Sequence, residues 1–388
     1  MPSTGSHPKH SDRLRSAQRF LKTALHYPLA LVFILLIGTG LILIVTRIKE
    51  NTTLAENRKI AEFPGWPTHY AAWRAFPRQF ENALNDRFPF RNALVTMYKQ
   101  TAYKIFRHST HPDVVVGQHD WLFYSGVDSM ADYRGEAPFT SIQVSRMVTS
   151  LQRMQKEAQR QGSRFLLVLA PDKQTVYPEF LPASIKEGHP HRIDQLVEAL
   201  KRTDVQFLDL RPVFLKAKTL GETLYYRYDT HWNDIGAYYG FAAILKSLGL
   251  PAPLRADVSF EDRSQARHSD IAVTMLGLND LHEIDRQFVS FRSEGRTFAP
   301  VLESPKSRTP LFDVVYVTTN GIPKSALLVH DSFGVALKPF YASVFARCRC
   351  VWPYYLEKPF EVPPELIAEE KPDYVIFLMV QRDMIAIP

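Results

Sequence analysis

The sequence predicts an α/β protein, a mainly parallel sheet with helices on both faces, preceded by one transmembrane helix. Three observations predict it. Short continuous apolar runs such as "FLLVLA" (165–170) and "YVIFLMV" (374–380) look like strands covered on both faces. Between them lie stretches whose apolar residues recur every three or four positions, the period of amphipathic helices. The alternation of the two is the pattern of a parallel sheet wrapped by helices. A chain of 388 residues with 45% apolar side chains has ample material for such a core and for an appendage outside it.

The chain opens on a basic tail, residues 1–27. Lys9, Arg13, Arg15, Arg19 and Lys22 stand there against Asp12 alone, so the tail supplies more than half of the formal net charge of +7. The remainder is nearly balanced, which argues against a nucleic-acid footprint, because that needs basic residues gathered on a folded face. From Pro28 to Val45 there is no charged side chain. That run approaches the roughly 20 residues a bilayer core requires, and a membrane helix is expected over 28–48. The following "TRIKENTT" lacks a small-x-small cleavage pattern, so the segment is read as an uncleaved anchor. More positive charge precedes it than follows, which places the amino end in the cytoplasm and the bulk of the chain across the inner membrane, in a bacterium the periplasm.

Residues 49–110 read as a helical stalk. Phe80, Leu84 and Phe88, then Leu94, Met97 and Ile105, recur at helical spacings interrupted at Pro89. The catalytic-sized domain is expected over 111–388. "VVVGQHDWLFY" predicts a strand, a turn and a strand. Val144, Met147, Leu151, Met154 and Ala158 predict a helix from Ser141, its plausible cap, to a stop at Gly162. Strands follow at 165–170 and 205–208, with a helix over 192–201 between them. Another helix starts at the cap-type Asn233 and ends at Gly249. Late strands are predicted at 312–317, 325–330 and 373–380. Cys348 and Cys350 are the only cysteines; two positions apart on a strand they share a face, and a disulfide across so short a loop needs unusual backbone geometry.

In open parallel sheets, ligands bind beyond the carboxyl ends of the strands. Three predicted strands end in chemically capable residues: Asp172 and Lys173, His330, Asp331 and Ser332, and Gln381, Arg382 and Asp383. A Ser directly after a buried strand is placed as nucleophiles are on such sheets, where backbone N–H groups can hold an oxyanion. A hydroxyl needs a base and the base an orienting acceptor. Asp229 and His231, one residue apart before the helix at Asn233, can supply both. On spacing alone each stretch also reads as an ordinary helix cap or helix entry. His330 is a rival base, expected to point away from Ser332. No metal site is expected: there is no HExxH, and "GHPHRID" (188–194) offers two histidines with Asp194 alone beside them. No cofactor is expected, because neither a Walker loop nor a dinucleotide glycine pattern is present.

Taken together and in order, "ENRKIAEFP", "NDRFPFR", "VVVGQHDWLFY", "APDKQTVYP", "YDTHWN", "SDIAVTMLGL" and "LLVHDSFG" resemble the AlgJ and AlgX type of SGNH-hydrolase-like polysaccharide O-acetyltransferase, over roughly residues 55–385. The resemblance implies a three-layer α/β/α SGNH-like domain. It implies Ser332 as the acyl-accepting nucleophile, His231 as general base and acid, and Asp229 as the residue orienting His231. Lys173, and with it Arg382, is assigned to the substrate groove. It further implies an acetyl group brought across the membrane by a multi-pass acyltransferase partner and placed on hydroxyls of an exported polysaccharide, alginate or another exopolysaccharide. The chain departs from the family at His330, where Gly is usual; a His there would narrow the pocket or change which N–H groups face the oxyanion. Two rivals stand beside the transferase reading: an acetylesterase of the same fold, if water replaces the sugar hydroxyl, and a non-catalytic scaffold or glycan-binding subunit, which His330 favours.

Overall fold

The computed structural model describes residues 59–388, apart from 89, 264–267, 294–295, 300–302, 306–311 and 353–359, together with scattered positions between 27 and 42. The basic tail and most of the expected membrane helix lie outside the described residues. Among the described residues no helix is long and apolar enough to cross a bilayer. The chain divides into two compact units, Met1–Tyr98 and Lys99–Pro388, a boundary earlier than the expected one at 110.

In the first unit, helix Tyr70–Arg87 ends before Pro89, and a second helix, Arg91–Lys104, begins beyond it. The stretch before the first helix is pinned to its far end: the Ala61 N–H donates to Asp86 Oδ2 at 2.9 Å, and the Arg87 guanidinium donates to the Ala61 carbonyl.

Among its described residues the second unit holds twelve strands: β1 Val114–Val116, β2 Leu122–Tyr124, β3 Arg164–Ala170, β4 Phe207–Asp209, β5 Val258–Asp262, β6 Arg286–Ser293, β7 Arg296–Phe298, β8 Glu303–Pro305, β9 Asp313–Val317, β10 Ile322–His330, β11 Phe345–Val351 and β12 Tyr374–Val380. Seven form one sheet in the order β4-β3-β12-β10-β11-β9-β8. The first five run parallel; β9 runs against them at one side, and β8 pairs antiparallel with β9 beyond it. The sheet is therefore mixed rather than wholly parallel, a common device at the edge of α/β sheets. Its central strands are apolar throughout because both faces are covered. Val168, Leu328 and Ile376 pack into one core layer with helix Asp234–Leu248, and Leu167, Leu327 and Val375 into the other with helices Ser141–Arg160 and Arg192–Leu200.

Local chemistry sets the boundaries. Helix Ser141–Arg160 is capped by Thr140, not Ser141: Thr140 Oγ1 accepts the Gln143 N–H while the Gln143 side chain accepts the Thr140 N–H. Helix Asp234–Leu248 is capped by Asn233, whose side chain accepts from the Gly236 N–H, and it stops at Gly249 in the left-handed region, where a side chain is disfavoured. Cys348 and Cys350 are buried and free on β11, Sγ to Sγ 3.6 Å, side by side as strand alternation requires. The sequence did not announce the small antiparallel sheet β5-β6-β7, which packs Phe288 and Phe291 against Phe340 and Phe241.

Candidate active site

Strands β3, β12 and β10 are neighbours and parallel, so their carboxyl ends open on one rim, and residues 171–173, 381–383 and 331–332 emerge there together. At the end of β10 the backbone passes into a 3-10 turn, Ser332–Leu337. Asp331 builds the turn. One carboxylate oxygen accepts the Phe333 N–H at 2.8 Å and the other the Val380 N–H at 2.5 Å, while its carbonyl accepts the Gly334 N–H. Among the amides of residues 332–334, that leaves the Ser332 N–H not engaged by Asp331. Burial, reinforced by Asp383, pushes the Asp331 carboxyl up to about 7, against the pull of those two amides.

The opposing wall is the loop 220–233, which carries no regular element beyond a single bridge between Tyr225 and Trp232. Its shape is imposed from outside. The Lys173 ammonium, buried beneath it, donates to the carbonyls of Tyr226, Arg227 and Asp229 at 2.9, 3.1 and 2.8 Å. Glu283 accepts the Arg227 and Tyr228 N–H groups, and Asp270 accepts both the N–H and the hydroxyl of Thr230. Trp232 Nε1 donates to the Phe333 carbonyl at 2.9 Å, tying this loop to the serine turn.

Asp229 is 2% exposed. One of its oxygens accepts from the His231 backbone N–H at 2.9 Å and lies 2.7 Å from His231 Nδ1; the other accepts the Asp270 N–H at 3.1 Å. On the far side of the ring, His231 Nε2 lies 2.8 Å from Ser332 Oγ. The structure thus brings Asp229, His231 and Ser332 into one hydrogen-bonded row, although Asp229 and Ser332 lie in loops a hundred residues apart. The His231 side chain keeps 22% of its surface open. Burial alone would push His231 down; the charge and hydrogen bond of Asp229, helped by Asp270 at 3.6 Å, outweigh burial and hold it above its ordinary range.

The remaining sequence candidates are placed as follows. Lys173 does not line a groove: burial pushes it down to about 8 against the pull of Asp229, and all three of its protons are spent on the loop carbonyls. Arg382 is at the rim, 8% exposed, paired with Asp172 at 2.5 Å, its guanidinium 5.1 Å from the Phe333 ring centre. His330 is fully buried, its ring bonded to the Asp331 carbonyl and beside Trp352 rather than hydrogen-bonded to Ser332. Strand alternation does not explain this, since positions two apart share a face; the turn at Asp331 and Ser332 breaks the alternation. Its Nδ1 donates to the Asp331 carbonyl, and its ring lies under Gly334, where an added Cβ would stand 2.2 Å from it. Burial and the nearby Lys338 push His330 down to about 3, so it is neutral. The histidines of 188–194 gather with Glu187, ligand atoms within 4.8 Å of one another, but His191 Nε2 already meets the Tyr133 carbonyl at 3.2 Å.

Asp270 is the residue that sequence reasoning missed. It begins a single π-helical turn, Asp270–Met275, in which its own N–H and carboxylate lock Asp229 and Thr230. The motif "SDIAVTMLGL" that holds it contributed to the family resemblance, but nothing in its local pattern points forty residues back to His231.

Comparison with known proteins gives the same direction. The family model described as "SGNH hydrolase-like domain, acetyltransferase AlgX" matches residues 114–309, ending before Ser332. A probable alginate O-acetylase AlgJ of Pseudomonas syringae pv. tomato is 25% identical over 181 residues, 46% of this chain and 44% of that protein. The chain thus matches less than half the length of that relative. In fold, the chain is similar to Bacillus cereus PatB1 solved with a sulfonyl adduct, with a TM-score of 0.51 and 15% identity over 70% of this chain and 97% of that one. It is similar also to a DHHW family protein from Eubacterium siraeum, with a TM-score of 0.50 and 16% identity over 71% of this chain and 95% of that one. The family match spans half of the chain, and the chain belongs to the AlgX-type family of SGNH hydrolase-like acetyltransferase domains.

Proposed function

We propose that this protein is a polysaccharide O-acetyltransferase working through an acetyl-serine. The observation that carries the reading is His231, held by Asp229 through Nδ1 and meeting the Ser332 hydroxyl through Nε2. In the first half-reaction His231 Nε2 takes the Ser332 proton as Oγ attacks the carbonyl carbon of an acetyl donor. Asp229 stabilises the imidazolium, and the Ser332 N–H faces the developing oxyanion. The tetrahedral adduct collapses, the donor's leaving oxygen or sulfur takes the proton back from His231, and the acetyl group stays on Ser332. In the second half a sugar hydroxyl gives its proton to His231 as it attacks the acetyl-serine, and the proton returns to Ser332 Oγ as the acetylated sugar leaves. Water in place of the sugar would make the same machinery an esterase; exclusion of water during the second half decides between them.

Several considerations support the transferase. The family is described as acetyltransferase, and the curated relatives are named alginate O-acetylases. The feature that favoured a non-catalytic scaffold, His330, lies in the core rather than in front of Ser332. On this reading the chain is anchored in the bacterial inner membrane by the apolar run after Pro28, with its larger unit in the periplasm. A multi-pass membrane acyltransferase delivers the acetyl group, and an exported polysaccharide accepts it. Lys173 acts as a positioning residue, and Arg382, buried and paired with Asp172, holds its charge beside Phe333 of the serine turn.

The test is intact mass spectrometry after incubation with an activated acetyl ester, beside Ser332→Ala. One added acetyl, mapping to Ser332 and absent from the variant, is expected. Addition of an oligosaccharide should then discharge the adduct into acetylated sugar. Free acetate as the only product would make the protein an esterase, and no adduct in a folded sample would remove the acetyl-serine mechanism.

A further inference from the structure

The first unit carries a feature that the chemistry at Ser332 leaves unused. Phe63, Trp66, Trp73, Phe76 and Phe80 form one unbroken chain of ring contacts. Phe63 lies 5.8 Å from Phe80, Phe80 5.8 Å from Phe76, Phe76 6.0 Å from Trp66, and Trp66 5.7 Å from Trp73. On helix Tyr70–Arg87, positions 73, 76 and 80 fall within a stripe of about 60° at 3.6 residues per turn, so the helix presents them together. Ala83 and Asp86, the buried residues of that helix, follow the stripe toward the helix's far end, where the stretch before it is pinned at Ala61. The aromatic side is open: Trp66 is 77% exposed, Tyr70 78%, Trp73 51%, Phe63 44% and Phe80 43%. A contiguous patch of this size on a water-soluble surface marks an interaction site.

Two facts choose the occupant. The patch is composed of Trp, Tyr and Phe, the side chains that settle at the level of lipid headgroups, where an apolar ring body and a polar edge are both satisfied. The patch is also close in the chain to the apolar run ending at Val45. Val45 and Phe63 are separated by at most about 60 Å of fully extended chain. A group held on so short a tether meets the bilayer at an effective concentration on the order of millimolar, so even a weak interfacial preference is satisfied once the anchor is inserted.

We infer that the aromatic face Phe63–Phe80 of the first unit docks on the phospholipid headgroup layer of the membrane that holds the anchor. The inference rests on the anchor proposed above. The docked face would give the chain a second, interfacial foothold beside the anchor.

The test uses the full chain inserted in vesicles of phosphatidylethanolamine and phosphatidylglycerol, with a fraction of the lipid brominated near the head of its acyl chains. The apolar run contains no Trp, Trp121 and Trp232 are buried, and the half-buried Trp352 is replaced by Phe in the reference chain, so a lipid quencher reads Trp66 and Trp73. Quenching of part of the tryptophan emission is expected, stronger with shallow than with deep bromines, and lost in the Trp66→Phe/Trp73→Phe double variant, which keeps the apolar face. Emission indifferent to brominated lipid, in a chain that still floats with the vesicles, would overturn the docking while leaving the anchor in place. Quenching that survives in the double variant would also overturn it, since another tryptophan would then be the one in contact. A chain that fails to float with the vesicles would remove the anchor itself, and the docking with it. Emission that ignores lipid but responds to added polysaccharide would overturn the lipid docking and make the face a glycan platform.

Discussion

The two walls of the site are built in opposite ways. The serine turn is local: β10 ends, Asp331 holds the Phe333 and Gly334 amides, and Ser332 is delivered to the rim by hydrogen bonds that reach no farther than the neighbouring strand. The histidine loop is held from afar. Lys173 comes from the end of β3, Asp270 from a π-turn, Glu283 from the segment before β6 and Phe333 from the serine turn itself. The nucleophile therefore inherits its position from the sheet. The base keeps its position only while several distant residues agree, and damage to that agreement should be felt at the base first.

The largest break in this comparison should come from Lys173→Met. Methionine fills similar volume but leaves three loop carbonyls without a donor in a buried place, at a cost of about 1–3 kcal/mol for each unsatisfied group before the loop relaxes. Transesterification should fall by roughly a hundredfold or more, the scale reached when a reacting group is misplaced by about an ångström. Thermal stability should fall with it, while the serine turn stays intact. Hydrogen exchange at the Phe333, Gly334 and Val380 amides, all held by Asp331, would read that turn separately. Full activity in Lys173→Met would show that the loop holds its shape without the ammonium and would remove Lys173 as a positioning residue.

Asp270→Asn sharpens the comparison at a single atom. The substitution keeps a hydrogen-bonding side chain beside Thr230 but removes the second negative charge near His231. His231 is held above its ordinary range partly by that charge, so the variant's imidazole should lose its proton at lower pH. A general base works only when neutral, so the acid limb of kcat/KM should move to lower pH, with a drop of about tenfold on the plateau as orientation loosens. The same sign governs stability: a raised His contributes stability below its unfolded value of about 6.5, and this is lost as pH rises through the folded value, so the contribution shrinks in the variant. An acid limb that stays in place would mean that Asp229 alone sets the base.

This difference between the walls also explains what could be read in advance. Strand ends carry their chemistry in the sequence, because a buried apolar run followed by a polar turn is a local pattern; Ser332 and the rim of three strands were readable from it. Asp229 and His231 were readable as a pair because one intervening residue lets a carboxylate reach its neighbour's ring. The residues that hold that pair in place were not. Lys173 after a strand looks like a surface cation, and only the fold shows three carbonyls turned toward it. Asp270 and Glu283 sit where the pattern is neither helical nor alternating, and their partners lie forty and fifty-odd residues back. The antiparallel pairings of β9 were hidden for another reason: an edge strand and a parallel strand have the same composition, and direction is decided by the connection.

The smallest effect on catalysis is expected at the position where the chain departs from its family. His330 occupies the core beneath Gly334, and Gly334 is the residue that makes room for it. His330→Gly should empty that space, costing about 2–4 kcal/mol of stability if the surroundings do not collapse, while acetyl transfer per folded molecule stays within about twofold, because the ring touches neither Ser332 nor His231. The pH dependence gives an independent readout. His330 is neutral in the folded chain with its value pushed down to about 3, against about 6.5 unfolded, so as pH falls below 6.5 the unfolded state takes up the proton first. Wild-type stability should erode across that window, and the variant should lose this part of its acid sensitivity, measured as melting temperature against pH. Its Nε2, buried without a partner among the described residues, adds a polar desolvation cost that the variant recovers, so the net loss should fall toward the lower end of that range. A large drop in transfer with stability unchanged would place the ring in the pocket after all, and the serine turn would then be less self-sufficient than the sheet alone makes it.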